Sequence, residues 1–313
     1  MGAIGAQKAD LFEETDTGQE PKASCKFEHS MKLKLGCELE YNILEETTFI
    51  FNLEVALLPR HLNLADRITC TPAIDRRTYT VPDLGARYLG ISARPGPFQL
   101  RYSAELDLVV SRADPAAINE MAVRDLPLEI LPYLLPSRFV SSDRLAAFAA
   151  REFGELPRGH ARVTKICNWI YDNIEYRRGS SDSETVATEI LIQRAGVCRD
   201  FAHLGIAFCR ALSVPARYVT CYALGLSPCD FHAVFEAYLD GRWWLFDATR
   251  QAALDGLVRI GVGRDAAEVA FATSFGAAEP GAVTVWIERI DQLQEGERTT
   301  EAISTDGPIT ASR

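Results

Sequence analysis

The apolar residues of this chain change period partway along, and that change constrains the fold more than any other feature. Phe98, Leu100, Tyr102, Ala104, Leu106, Leu108 and Val110 keep one parity, while Gln99, Arg101, Ser103, Glu105 and Asp107 keep the other. A period of two suits a half-buried strand, whose successive side chains point to opposite faces. The same alternation runs from Met31 through Leu33, Leu35, Cys37 and Leu39 to Tyr41, and again from Phe49 to Leu57. These runs predict an all-β sandwich domain over residues 30–124. Pro115, Pro127, Pro132 and Pro136 then break any long helix and read as a connection between two domains, with the boundary near 125.

Beyond that connection the period becomes helical. Ser142 is placed to cap a helix through Leu145 and Phe148, and Val163, Ile166, Trp169, Ile170 and Ile174 form an apolar stripe that ends before Gly179. A short helix is expected over 185–193. Another starts at Cys198, with Phe201, Leu204, Gly205, Phe208 and Leu212 facing a core until Pro215 stops it. Strands follow at 216–222, 232–239 and 242–249, and a late one at 283–290. The fold class is therefore α+β, with a second domain over 125–293. Residues 1–28 and 294–313 are polar and without period, too poor in apolar surface to offset the entropy of ordering, and are expected to be disordered tails.

Composition narrows the partners. Lys plus Arg number 33 against 43 Asp plus Glu, a formal charge of −10, which repels nucleic acid and anionic lipid alike. No uncharged apolar run approaches the roughly 20 residues a bilayer crossing needs, and the opening MGAIGAQKADLFEETDTGQEPKAS has no apolar secretory core, so a cytoplasmic location is expected. The eight cysteines show no CxxC and no compact repeating framework, and most are expected to be reduced packing residues. His29, His61 and His160 have no other ligand candidates at metal spacing, and no metal is assigned.

Asp240-Gly241 between two β-prone runs is a strong hairpin signal. A turn there pairs Leu239 with Arg242, so that His232 falls opposite Thr249 and Asp247 opposite Val234. His232 and Asp247 are then diagonal neighbours on one face, about 7 to 8 Å apart at the backbone, within reach of an imidazole–carboxylate hydrogen bond. A carboxylate that accepts one ring N–H fixes the tautomer and leaves the other nitrogen to act as a base. Cys198 is the natural nucleophile, because a helix N-terminus stabilises a thiolate and its free amides can accept the oxyanion of a tetrahedral intermediate. Asp200 in the first helical turn and His203 on a different helical face have simpler readings, as favourable charge at a helix start and as a contact with a neighbouring domain or a local carboxylate.

The segments GVCRDFAHLGIAFCRALSVPARYVTCY and DFHAVFEAYLDGRWWLFDATR closely resemble the transglutaminase-like superfamily, whose core is papain-like. The resemblance covers roughly residues 130–265, and the sheet-rich stretch before it is similar to the β-domain that commonly precedes this core in bacterial members. It implies a helix-start cysteine packed on an antiparallel sheet, with Cys198 as nucleophile, His232 as general base and acid, and Asp247 orienting His232. It implies no cofactor. Two departures stand out: Val234 replaces a tryptophan that many relatives carry two residues after the histidine, and the second oxyanion donor has no clear counterpart. Gln193 is a candidate for that role by analogy with papain-like enzymes, against the alternative of an exposed helix-end residue. Trp243 and Trp244 fall on alternate faces of one strand, so one is a candidate to line the cleft beside Asp247 while the other packs the core. The peptide-deglycosylating branch usually carries paired CxxC zinc ligands, which this chain lacks.

The expectation is a thiol enzyme acting on a peptide or protein substrate through a thioester, more by hydrolysis of a peptide or amide bond than by glutamine–lysine cross-linking. A peptide-binding module without catalysis is the reading from another class. Oligomeric state is left open.

Overall fold

The computed structural model describes residues 26–291 and 300–307. The expected tails at 1–25 and 308–313, and residues 292–299, lie outside the described residues. In chain order the strands of the first half are β1 (Lys26–Ile43), β2 (Thr47–Phe51), β3 (His61–Thr71), β4 (Arg76–Thr80), β5 (Arg87–Ala93) and β6 (Gly96–Ala113). Short 3-10 turns occupy the proline-rich connection. Then come α1 (Ala146–Phe153), α2 (His160–Asn173), β7 (Glu175–Tyr176), α3 (Ala187–Gln193), β8 (Ala195–Gly196) and α4 (Cys198–Ala211). The chain returns to strands with β9 (Ala216–Ala223), β10 (Phe231–Leu239), β11 (Arg242–Phe246), β12 (Leu257–Gly263), β13 (Ala272–Phe275), β14 (Ala278–Arg289) and β15 (Ala302–Ser304). No helix among the described residues is long and apolar enough to cross a membrane.

Two sheets form the sandwich, ordered β14-β1-β6-β15 with β3 also on β6, and β13-β2-β5-β4. A third sheet, β11-β10-β9-β12, carries the site. The alternation of β1 and β6 does what its period predicts: Leu33, Leu35, Cys37, Leu100, Tyr102 and Leu106 are buried in one cluster with Phe49 and Phe51. That cluster continues into Val219, Cys221, Tyr222, Val234, Leu245, Val258 and Ile260 of the third sheet. The sheet's other face, through Ala216, Ala233, Phe235, Ala237, Trp244 and Phe246, packs on α1, α2 and α4. Helices, sheet and sandwich therefore make three layers around a middle sheet, which explains why every residue of β9 and β12 is buried. Tyr222 ties two layers directly, its hydroxyl donating to the Leu53 carbonyl at 2.8 Å.

The structure departs from the expected boundaries at the C-terminal end. β13 pairs with β2 and β14 with β1, so the stretch assigned to the second domain at 272–289 completes the sandwich sheets instead. Within the stretch 294–313, expected to be a disordered tail, the described residues include β15, which pairs with the end of β6 and buries Ala302 and Ile303. Asp306 just beyond it joins a buried cluster in which Glu236 accepts from both Arg217 and Arg259. Ser142 is a buried residue of a 3-10 turn that leads into α1, not its cap.

Candidate active site

Two local rules bring the site together. The β10–β11 hairpin turns at Asp240 (φ 50°) and Gly241 (φ 78°), the paired positive angles of the tight turn that Asp-Gly favours. Its register, Leu239 with Arg242 through Phe235 with Phe246, is the one deduced from the turn. β11 ends one residue short of Asp247, and the carboxylate meets the ring across the strand ends, with His232 Nε2 donating to Asp247 Oδ2 at 2.9 Å. Both side chains are nearly inaccessible, at 1% and 3% exposure.

Helix α4 begins at Cys198 itself. Val197 before it is extended, and the Asp200 carboxylate accepts the Val197 N–H at 2.8 Å and the Ser181 hydroxyl, which closes the helix start. The helix can lie this close to the sheet because residue 205 is glycine: a Cβ there would stand 2.5 Å from the Phe235 ring. Cys198 is half-buried, whereas Cys37, Cys167, Cys209 and Cys221 are buried and their thiols are pushed up by that burial. All seven described cysteines are free.

The remaining interaction of the His232 ring is with the Cys198 thiol. Nδ1 is buried and makes no hydrogen bond among the described residues, and the Cys198 thiol acts on the ring from nearby. Burial alone disfavours the imidazolium. Hydrogen bonds and charge from Asp247 and Cys198 more than offset it and push His232 up to about 10. For Asp247 burial likewise opposes the charge, yet His232 and Thr249 hold the carboxyl below its usual range. Thr249 does this through two hydrogen bonds to Asp247 Oδ1, from its N–H at 2.8 Å and its hydroxyl at 2.7 Å.

Two neighbours of the candidate site were missed by sequence reasoning. Thr249 lies two residues after Asp247, a spacing that allows an Asx-type turn and could have signalled it. Tyr176 could not have been found that way, since only the parallel pairing of β7 with β8, Tyr176 against Gly196, brings it to Cys198. It lies beside Cys198, whose thiol and backbone N–H both act on its hydroxyl. Burial, first, and then the neighbouring sulfur push the phenol up to about 12, so it stays a protonated donor at neutral pH.

Three expected site residues lie elsewhere. Gln193 is exposed at the last residue of α3, and its side chain makes no hydrogen bond among the described residues. Trp243 is buried beside Leu126, Ile130 and Tyr238, edge-on to Tyr133, with the Arg217 guanidinium 4.1 Å from its ring centre. Trp244 packs in the helix-side core, its Nε1–H on the Leu239 carbonyl at 3.1 Å. Neither tryptophan lines a cleft beside Asp247, because β11 is covered on both faces. His203 is a packing residue stacked between Phe139 and Tyr218, with Nε2 accepting the Ala266 N–H, and burial pushes it down to about 3. Among the described residues no group of three or more His, Cys, Asp or Glu is placed to hold a metal ion.

A cysteine at the start of a helix, packed on an antiparallel sheet that presents a His–Asp pair, is the core of a papain-like protein. Comparison with known proteins agrees. The model of the transglutaminase-like superfamily matches residues 147–248, which contain Cys198, His232 and Asp247. A crystal structure from Cytophaga hutchinsonii, described as a putative cysteine protease, is 40% identical with a TM-score of 0.84, covering 89% of this chain and 99% of that one. This chain belongs to the transglutaminase-like superfamily. Curated relatives include an uncharacterized protein of Mycobacterium leprae, 28% identical over 174 residues (53% of this chain), and one of Mycobacterium bovis, 36% identical over 119 residues (33% of this chain). The chain spans 61% and 38% of the length of these two relatives.

Proposed function

We propose that the protein is a thiol-dependent hydrolase of a peptide or carboxamide bond, working through a thioester on Cys198. The observation that carries the reading is the buried His232–Asp247 hydrogen bond, beside a helix-start Cys198 whose thiol favours the charged form of the same ring. Cys198 Sγ attacks the carbonyl carbon while His232 Nδ1 holds the thiol proton, and a tetrahedral oxyanion forms beside the Cys198 N–H and the Tyr176 hydroxyl. His232 then gives that proton to the departing nitrogen, and the C–N bond breaks to leave the thioester. In the second half His232 takes a proton from water, the new C–O bond forms, the C–S bond breaks, and the thiol is restored. Asp247 keeps Nε2–H occupied, so that Nδ1 always faces the sulfur.

Two measurements test this. Iodoacetamide at pH 6 should modify Cys198 quickly and selectively, and His232→Ala should abolish that preference; labelling no faster than at the other cysteines would favour a binding module. A glutamine-containing acyl donor incubated with a labelled primary amine should give the free acid without amine incorporation. Incorporation at millimolar amine would reassign the enzyme as a transglutaminase.

A further inference from the structure

A cavity of about 420 Å³ lies behind the turn that holds Asp247, within the size range of small-ligand sites. His160, Thr164 and Asn168 on α2 form one wall, and Phe246, Arg250 and Leu254 form much of the other. Neither Cys198 nor His232 lines it, so it is not the cleft in which an acyl group would sit. Only Asp247 is shared between the two, and both of its carboxylate oxygens are engaged, by His232 and by Thr249.

The polar groups around this cavity have one sign left over. Glu301 at its margin is engaged by Arg112. Arg250 is exposed and has no carboxylate partner among the described residues: its guanidinium donates to Asn168 Oδ1 at 2.6 Å and lies 4.2 Å from the centre of the Tyr171 ring. Its backbone is at φ 56°, the left-handed region that a side chain disfavours, in the same tight turn as Asp247, whose carbonyl accepts the Arg250 N–H. The interior is mostly apolar, with two ring systems on its walls. The His160 ring packs on Phe246 with centres 4.6 Å apart, and burial pushes His160 down to about 4, so it adds no positive charge near neutral pH. Thr164 spends its hydroxyl proton on the His160 carbonyl and accepts from Nδ1–H, which leaves the other ring nitrogen as an acceptor.

We propose that this cavity is a second ligand site, for a small carboxylate with a planar apolar body, its acid group on Arg250 and its ring against Phe246 and His160. A guanidinium already fixed by an amide and an aromatic face is pre-oriented for a carboxylate, and an apolar body replaces water that the walls bind poorly. Neutral or cationic ligands of the same shape forgo the one unpaired charge. The site stands or falls independently of the role given to Cys198.

Phenylacetate and its neutral isostere phenylacetamide, titrated into the full-length protein by calorimetry, test the proposal. Phenylacetate should bind saturably with one-to-one stoichiometry, at least tenfold more tightly than the amide. Arg250→Gln should bring the acid down to the affinity of the amide. Ala253→Phe, which fills the cavity from the turn, should abolish both while far-ultraviolet circular dichroism stays unchanged. Absence of saturable binding by the native protein, equal affinity for acid and amide, or binding unaffected by either substitution would overturn it.

Discussion

Thr249 holds Asp247 by two hydrogen bonds where His232 holds it by one: Oδ1 takes the threonine N–H and hydroxyl, and Oδ2 takes the imidazole. The threonine therefore sets the angle at which the carboxylate presents Oδ2 to the imidazole. Thr249→Val keeps the backbone bond and removes the hydroxyl. It should lower kcat about tenfold with little change in KM and cost about 1–2 kcal/mol of stability, while Thr249→Ser restores both. Kinetics and urea unfolding of the two variants check this.

The pH dependence of stability follows from two groups with opposite signs. His232 is raised in the folded state, so its contribution is full below its ordinary value near 6.5, declines as pH rises from there, and is gone above about 10. Asp247 is lowered, so its contribution is present above the ordinary carboxylate value and is lost as pH falls through the depressed one. The difference in thermal midpoint between the native protein and His232→Gln should therefore shrink steadily between pH 6 and pH 10. A difference that grows over that interval would contradict the assignment.

Removing the Tyr176 hydroxyl should slow the chemical step and leave binding alone. Tyr176→Phe is expected to lower kcat by about 10²-fold with KM nearly constant, the size typical of one lost oxyanion donor. Alkylation of Cys198 by iodoacetamide, which forms no oxyanion, should change far less. A parallel loss in both assays would make the tyrosine a positioning residue for the thiol.

The close approach of α4 to β10 makes Gly205 intolerant. Gly205→Ala should gain helix propensity yet destabilise the protein by about 1–3 kcal/mol, because the added methyl meets the Phe235 ring. Chemical denaturation measures the net sign directly.

Much of the site was legible because it depends on short-range rules. The hairpin register could be counted from Asp240-Gly241 without any tertiary information; Leu239–Arg242 through Phe235–Phe246 pair as counted, and His232 and Asp247 beyond them share a 2.9 Å hydrogen bond. Cys198 at a helix start follows from the glycine before Val197 and the apolar spacing after it. What escaped the sequence depends on distant pairing. Tyr176 reaches the thiol through two two-residue strands too short to show a period. Of Trp243 and Trp244, on alternate faces of one strand, one was expected to line the cleft and the other to pack the core, but here the 3-10 segment at Leu128–Leu134 and the helices cover both sides. Ala302 and Ile303 are only two apolar residues in a polar stretch, a signal that gains meaning once the edge of β6 is there to receive them.

The return of β13 and β14 to the first half of the chain stitches the molecule closed. A single cut in the connection between Asp114 and Pro136 would leave both fragments clasped, since the downstream piece supplies neighbours to β1 and β2 of the upstream one. Limited proteolysis there should yield a nicked species that co-elutes as one particle until denaturant is added, and neither fragment expressed alone should stay in solution.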